Sequence, residues 1–79
     1  MADKLRTIFR ESIISVDSAQ NIVVIKTMAG LANAAAAAMD GMSISGMVGT
    51  LAGDDTALLV MKDAEMAKGF CEDIHEMLK

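Results

Sequence analysis

The stretch of the sequence best suited to chemistry is Gly53-Asp54-Asp55-Thr56, which places two adjacent carboxylates at a tight turn. Their like charges repel each other, and an arriving guanidinium would relieve that repulsion. A guanidinium also presents its N–H donors as a planar fork, which carboxylates accept in paired, charge-assisted hydrogen bonds. Aspartate is equally common in solvated hairpin turns. Local chemistry therefore leaves two interpretations open, a cation site and an ordinary turn.

A second polar pair, Asn33 and Asp40, is separated by seven positions. In a helix this spacing is close to two turns, so both side chains project toward the same side. One amide and one carboxylate could jointly hold the ammonium and carboxylate of an amino acid. Asp40 would also oppose the dipole of a helix ending there, and a bound cation would relieve that misfit. The alternative is that both residues merely occupy the ends of the helix.

Cys71 and His75 lie one helical turn apart and superficially resemble a metal-binding pair. They are the only cysteine and the only histidine in the sequence, whereas a tetrahedral zinc site needs four ligands. Cys71 falls on an apolar stripe, where a free cysteine acts as a small hydrophobe. No serine or cysteine stands with His75 in a recognisable local catalytic motif. We therefore expect no metal, no cofactor and no enzymatic activity.

Composition narrows the class of protein further. A chain of 79 residues, 53% hydrophobic and with a formal net charge of -4, fits one compact domain over residues 1–79. So small a domain is marginally stable alone, which favours self-association. The acidic balance argues against direct contact with DNA. The apolar runs are too short for a membrane helix, so we expect no membrane partner. The lone cysteine and the lack of a signal-peptide pattern predict a cytoplasmic location.

Periodicity in the first half of the chain predicts a helix, a β-hairpin and a second helix. Apolar residues at helical spacing predict an amphipathic helix over residues 3–14. β-branched residues from Ile14 to Val16 and from Ile22 to Ile25 predict two strands around a polar turn at residues 17–21. Five consecutive alanines predict a helix over residues 31–40 that ends at Gly41, where a left-handed conformation is common.

The second half of the chain predicts another hairpin and a last helix, which makes the order α-β-β-α-β-β-α. Residues 47–52 and 56–61 are suited to strands, with residues 53–55 as their connection. Asp63 can cap a helix with an apolar face formed by Ala67, Phe70, Cys71, Ile74 and Leu78. We predict an α+β fold, a four-stranded antiparallel sheet with helices packed on it. Because residues 22–25 are continuously apolar, a partner subunit is the plausible cover for the other face.

Residues 49–56, with the sequence GTLAGDDT, closely resemble the GTxxGDDT signature of the arginine repressor C-terminal domain. Residues 16–19 and 25–30 are similar to that family's first hairpin and the turn after it, and residues 33–40 to its ligand-facing helix. The similarity runs from about Leu5 to the C-terminus. Two positions depart from the usual pattern: Ala29 stands where a proline commonly precedes the glycine, and Asn33 where glutamine or histidine is frequent.

The resemblance implies a fold like that of pterin dehydratase (DCoH-like) and a hexamer built as two stacked trimers, with L-arginine bound where the trimers meet. It also implies a separate N-terminal winged-helix domain that binds operator DNA, expected to be absent from this chain. Arginine would then promote the hexamer that is competent to bind DNA.

Carried over position by position, the resemblance implies that Asp54 and Asp55 take the guanidinium. Asp40, Asn33 and the Ala32 backbone would lie near the amino-acid end, and Thr50 and Ala52 would line the site. Two other functions stay open at this point. One is a purely structural trimerisation module without a ligand, and the other is an enzyme of the pterin dehydratase kind. The chemistry of that enzyme would require a cluster of histidines, and this sequence contains only His75.

Overall fold

A computed structural model describes residue 7 and residues 10–79, and it confirms the α+β class and the predicted order of elements. The first helix is described at Thr7 and at residues 10–12, so its predicted apolar positions Leu5, Ile8 and Phe9 lie outside the described residues. The other two helices are Ala32–Asp40, here called the alanine helix, and Ala64–Leu78, the C-terminal helix. The four strands are β1 Ile13–Ala19, β2 Ile22–Thr27, β3 Met47–Ala52 and β4 Thr56–Met61.

The strands form one antiparallel sheet in the order β1-β2-β4-β3, so β2 and β4 are central and β1 and β3 are the edges. The alanine helix and the C-terminal helix pack on the same face of this sheet, because residues from both join the inward-facing strand residues in one apolar core. The largest fully buried core side chains are Ile25, Met39, Leu59, Met61, Ile74 and Val23. Burial of this one face holds the helices in place on the sheet.

The opposite face of the sheet carries no helix among the described residues, and we call it the open sheet face. Its apolar side chains come from paired positions on three strands, Ile22 and Val24 on β2, Leu58 and Val60 on β4, and Leu51 on β3. Leu51 is 72% exposed and Val60 is 39% exposed. Within the single chain β2 is therefore central in the sheet but fully buried only on its helix-covered face.

The first hairpin differs from the sequence-based prediction at both ends of β1. The strand begins at Ile13, one residue before its predicted start at Ile14, because Ile13 pairs with Thr27 of β2 instead of continuing the helix. The strand also continues to Ala19 through residues predicted to form the turn, which shortens the turn to residues 20–21. Polar side chains are compatible with this position because β1 is an edge strand with an exposed side.

The alanine helix ends differently from the prediction. Gly41 has φ -75 and remains in the right-handed region, and its N–H donates to the Ala37 carbonyl over 3.3 Å. The left-handed positions fall later in the loop, at Ser43 with φ 52 and Gly46 with φ 82. Gly46 is suited to that place, since a Cβ there would collide with the Met66 side chain.

The C-terminal helix follows the prediction closely. The Asp63 side chain accepts a hydrogen bond from the Met66 N–H over 2.8 Å, which makes Asp63 the N-cap. Of the predicted apolar face, Leu78 is half-buried and the other four positions are buried, namely Ala67, Phe70, Cys71 and Ile74. The end of the helix is attached to the sheet by His75, whose Nε2 lies 3.0 Å from the Val16 carbonyl oxygen of β1.

The turn before the alanine helix explains how the chain accommodates Ala29 and predicts a stabilising change. Leu31 N–H donates to the Met28 carbonyl over 3.1 Å, and Gly30 has φ 80, which are the marks of a type II turn with Ala29 at its second position. Proline fits that position, and within the described chain the Ala29 N–H donates no hydrogen bond. We expect Ala29→Pro to stabilise the domain by about 0.4–1 kcal/mol, a rise of roughly 2–8 °C in Tm by calorimetry.

Met28→Pro is the matched control for this change. The Met28 N–H donates to the Ser12 carbonyl over 2.9 Å, so proline one position earlier removes a hydrogen bond that proline at Ala29 spares. We expect Met28→Pro to lower Tm. A lower Tm for Ala29→Pro as well would contradict the type II assignment.

Candidate ligand-binding site

The turn that carries Asp54 and Asp55 is held in place by hydrogen bonds that its backbone carbonyls accept from residues 27–32. The Asp54 carbonyl accepts hydrogen bonds from Gly30 N–H at 3.0 Å and from Ala32 N–H at 3.3 Å. The Asp55 carbonyl accepts one from Thr27 N–H at 2.7 Å. These bonds join the turn to the segment between β2 and the alanine helix. The two carboxylates therefore project into solvent from a rigidly held backbone.

The same contact completes the start of the alanine helix. The residue before this helix, Leu31, provides no side-chain hydrogen bond to the free N–H groups of the first turn. The Asp54 carbonyl supplies an acceptor for one of them, the N–H of Ala32. The Ala32 side chain is fully buried, so this residue fixes the helix to the turn through its backbone.

Two threonine hydroxyls orient carboxylates at the site. Thr56 Oγ1 donates to Asp55 Oδ1 over 3.0 Å, and Thr50 Oγ1 donates to Asp40 Oδ1 over 3.1 Å. A hydroxyl bond fixes the direction of a carboxylate, while the remaining lone pairs stay available to an incoming donor. Asp55 and Asp40 are therefore oriented before any ligand arrives.

The alanine helix lies beside β3, and hydrogen bonds connect the two elements at both ends of the helix. Thr50 on β3 meets Asp40 at the end of the helix, and the turn after β3 meets Ala32 at its start. Thr50 and Ala52 are half-buried on the helix-covered side of the sheet, opposite Leu59 and Ala57 of β4. The fold thus gathers the predicted site residues along one edge of the domain.

Asn33 and Asp40 are both exposed on the alanine helix, as the spacing predicts. Seven residues of helix separate their α-carbons by about 10 Å. The structure gives Asp40 a direct side-chain partner in Thr50, whereas Asn33 has no hydrogen bond from its side chain to another described residue. Asn33 is accordingly the predicted site residue that the fold leaves least constrained.

The electrostatics of this edge favour a cation. Among the described residues no lysine, arginine or histidine lies within 4.0 Å of the carboxylates of Asp40, Asp54 or Asp55. The salt bridge between described residues lies elsewhere, at the end of the C-terminal helix, where it joins Lys79 to Glu76. Within the described part of the chain, then, no basic side chain neutralises these three carboxylates. A guanidinium or ammonium would find acceptors there without displacing a basic side chain of the described residues.

Three residues support the site in roles that were not predicted from the sequence. Thr27 and Gly30 donate their backbone N–H groups to the turn, and Thr56 orients Asp55. Thr56 alone had a local signal, since a hydroxyl adjacent to an aspartate often bonds to it. The bonds from Thr27 and Gly30 join residues more than twenty positions apart, and no local pattern reveals them.

The structure does not join Cys71 and His75 into a metal site. Burial raises the pKa of the Cys71 thiol, and the nearby carboxylates of Asp17 and Glu72 raise it further, so the thiolate that metals and electrophiles require is disfavoured. Among the residues described, no three histidine, cysteine, aspartate or glutamate side chains are placed to hold a metal ion. Over the same residues, no helix is long and apolar enough to cross a bilayer.

Fold and surface together define a small α+β domain with an acidic site at one edge and an apolar sheet face that no described helix covers. Residues 9–76 match the model of a family described as the arginine repressor C-terminal domain. The chain belongs to this family, which confirms the resemblance drawn from its signature turn.

Named relatives agree with the family match. The arginine repressor of Acetivibrio thermocellus is 46% identical over 77 residues, covering 98% of this chain and 50% of that protein. The arginine repressor of Alkaliphilus metalliredigens is 40% identical over 79 residues, covering 100% of this chain and 53% of that protein. The corresponding protein of a Thermoanaerobacter species is 43% identical with the same coverage. The chain spans about half the length of these curated relatives, whose name is that of a regulator and not of an enzyme.

Proposed function

We propose that this domain senses free L-arginine in a cytoplasmic regulator of arginine metabolism, and that it assembles into trimers and, from two trimers, a hexamer. The observation that carries the proposal is the pair of exposed carboxylates on a turn whose backbone is bonded to the alanine helix. A site that is rigid before binding loses little conformational entropy when the ligand arrives.

In this proposal Asp54 and Asp55 hold the guanidinium through paired, charge-assisted hydrogen bonds. The Ala32 backbone, Asn33 and Asp40 lie near the amino-acid end of the ligand. Thr50 and Ala52 line the site, and Thr50 additionally positions Asp40 through the bond between their side chains. Arginine has a cationic head and a zwitterionic end, so it suits a site that combines carboxylates with an amide.

A second protomer is expected to complete the site. Asp40, Asp54 and Asp55 are all exposed in the single chain, and solvent weakens a charge-assisted hydrogen bond. Covering the ligand with another subunit lowers the local dielectric and strengthens those bonds. This is the physical reason to place arginine where trimers meet.

Binding at such an interface connects the ligand to assembly. A ligand that prefers the hexamer stabilises it by mass action. The relatives are about twice as long as this chain. We propose that the full regulator contacts operator DNA through a preceding winged-helix domain. If the hexamer spaces those domains correctly, arginine raises operator affinity, and operator DNA raises arginine affinity by the same factor.

A purely structural trimerisation module is the second candidate. The open sheet face favours it, because an uncovered apolar surface is reason enough for assembly without any ligand. On this interpretation the turn at residues 53–55 is only a turn.

Calorimetric titration separates the two candidates. Citrulline has the shape of arginine but carries an uncharged ureido group in place of the guanidinium. We expect L-arginine to bind and citrulline to bind at least about 100-fold more weakly, since the charge-assisted bonds are lost. Equal binding of both would reject guanidinium recognition. Binding of neither by an assembled domain would favour the structural module.

A further inference from the structure

The open sheet face carries two opposite charges as well as apolar residues. Asp17 on β1 and Lys26 on β2 are both exposed. The register pairs Asp17 with Val24 and Lys26 with Ser15, so the two charged residues are diagonal neighbours on the face. Together with Ser18 and Ala19 they line a surface concavity of about 310 Å³.

These two charges are not paired with each other. Diagonal neighbours on adjacent strands have α-carbons about 7–8 Å apart. Asp17 and Lys26 make no salt bridge within 4.0 Å, either mutually or with another residue of the described chain. Asp17 Oδ1 accepts a hydrogen bond from the Ser18 N–H over 2.8 Å, which fixes the carboxylate close to the strand. The concavity thus lies between a held anion and a cation that does not reach it.

The surroundings of Asp17 and Lys26 indicate what could fill the concavity between them. Next to it the face is apolar, and Val24 both lines the concavity and belongs to the apolar group. A protein surface fits such a face better than a small polar ligand does, because it covers the apolar part while presenting charges to the rest. A second copy of the same chain supplies both signs by itself. Its Lys26 can meet Asp17, and its Asp17 can meet Lys26.

We propose that the open sheet face contacts a second copy of this chain, and that Lys26 of each copy forms an ion pair with Asp17 of a neighbouring copy. Apolar contact supplies most of the association energy, and the ion pairs set the register in which the faces meet. This inference rests on the proposed homo-oligomer, and it names a contact apart from the arginine site.

Charge reversal tests the inference, with association of the folded domain measured by sedimentation velocity over a range of concentrations. Lys26→Glu and Asp17→Lys each bring like charges together at the contact, and we expect each to weaken association about tenfold or more. Lys68→Glu is the matched control. It makes the same change of net charge as Lys26→Glu, at an exposed position of the C-terminal helix, and we expect it to associate as the unmodified chain does.

Mixing the two variants gives the sharpest result. In an equal mixture of Lys26→Glu and Asp17→Lys chains, every contact between unlike chains again joins opposite charges. We expect the mixture to associate at least about threefold more tightly than either variant alone. No such recovery would occur if the two residues acted only within their own chain, and its absence would overturn the inference.

The remaining outcomes distinguish this inference from the proposed function. An unmodified chain that stays monomeric at every concentration would overturn both. An unmodified chain that assembles while Lys26→Glu behaves like Lys68→Glu would overturn the ion pair alone. Should circular dichroism show that Lys26→Glu is unfolded, Lys26→Gln carries the test. We expect this variant to weaken association about threefold and to reduce its dependence on salt, and unchanged behaviour would overturn the inference.

Discussion

Replacing Asp54 or Asp55 with asparagine is expected to weaken L-arginine binding by about 100-fold or more. Asparagine keeps the shape of the side chain but removes the negative charge and one acceptor oxygen. The guanidinium then meets a neutral acceptor at that position, and the covered cation keeps only the other aspartate as its counter-charge. Titration calorimetry on each variant measures the effect directly.

The fold should survive these two substitutions. The bonds that hold the turn in place come from the backbone carbonyls of residues 54 and 55, which asparagine retains. Both side chains are exposed, so we expect Tm to change by only a few degrees. Asp73→Asn provides the matched control on the exposed side of the C-terminal helix, and it should bind arginine normally. Unaltered arginine affinity in both turn variants would refute the proposed site.

Replacing Gly30 with valine is expected to destabilise the domain by about 2–3 kcal/mol and to weaken arginine binding as well. Gly30 has φ 80, a conformation that is strongly unfavourable for a β-branched residue. A Cβ at this position would meet no atom within 4 Å, so the cost comes from the backbone conformation and not from a collision. Relieving the strain requires a change in the backbone of residue 30, whose N–H donates to the Asp54 carbonyl, so the position of Asp54 changes with it.

Gly30→Asn isolates the conformational cause, because asparagine tolerates left-handed backbone better than other side chains do. We expect it to lose about 1 kcal/mol and to keep most of its affinity for arginine. Thermal unfolding and arginine titration on both variants give the comparison. A valine variant as stable as the unmodified chain, with the same arginine affinity, would show that the Gly30 turn does not position Asp54.

Local patterns predicted the elements of this fold because each pattern depends on residues close together in the chain. Five consecutive alanines are strong helix formers, and Asp63 can cap a helix without any distant contact. The predicted ends of β1 were wrong because they depend on pairing with a strand that is distant in sequence. Ile13 joins the strand because it pairs with Thr27, and this pairing outweighs the helical pattern that precedes it.

The candidate site divides in the same way. Adjacent carboxylates in a glycine-containing turn are visible in the sequence, and they are the basis for predicting a site for a planar cation. Tertiary structure alone decided that the backbone of this turn would bond to Gly30 and Ala32, and that Thr50 would reach Asp40. These contacts exist because sheet pairing and core burial bring β3 beside the alanine helix, and hydrogen bonds between strands and helices far apart in sequence form only after that packing.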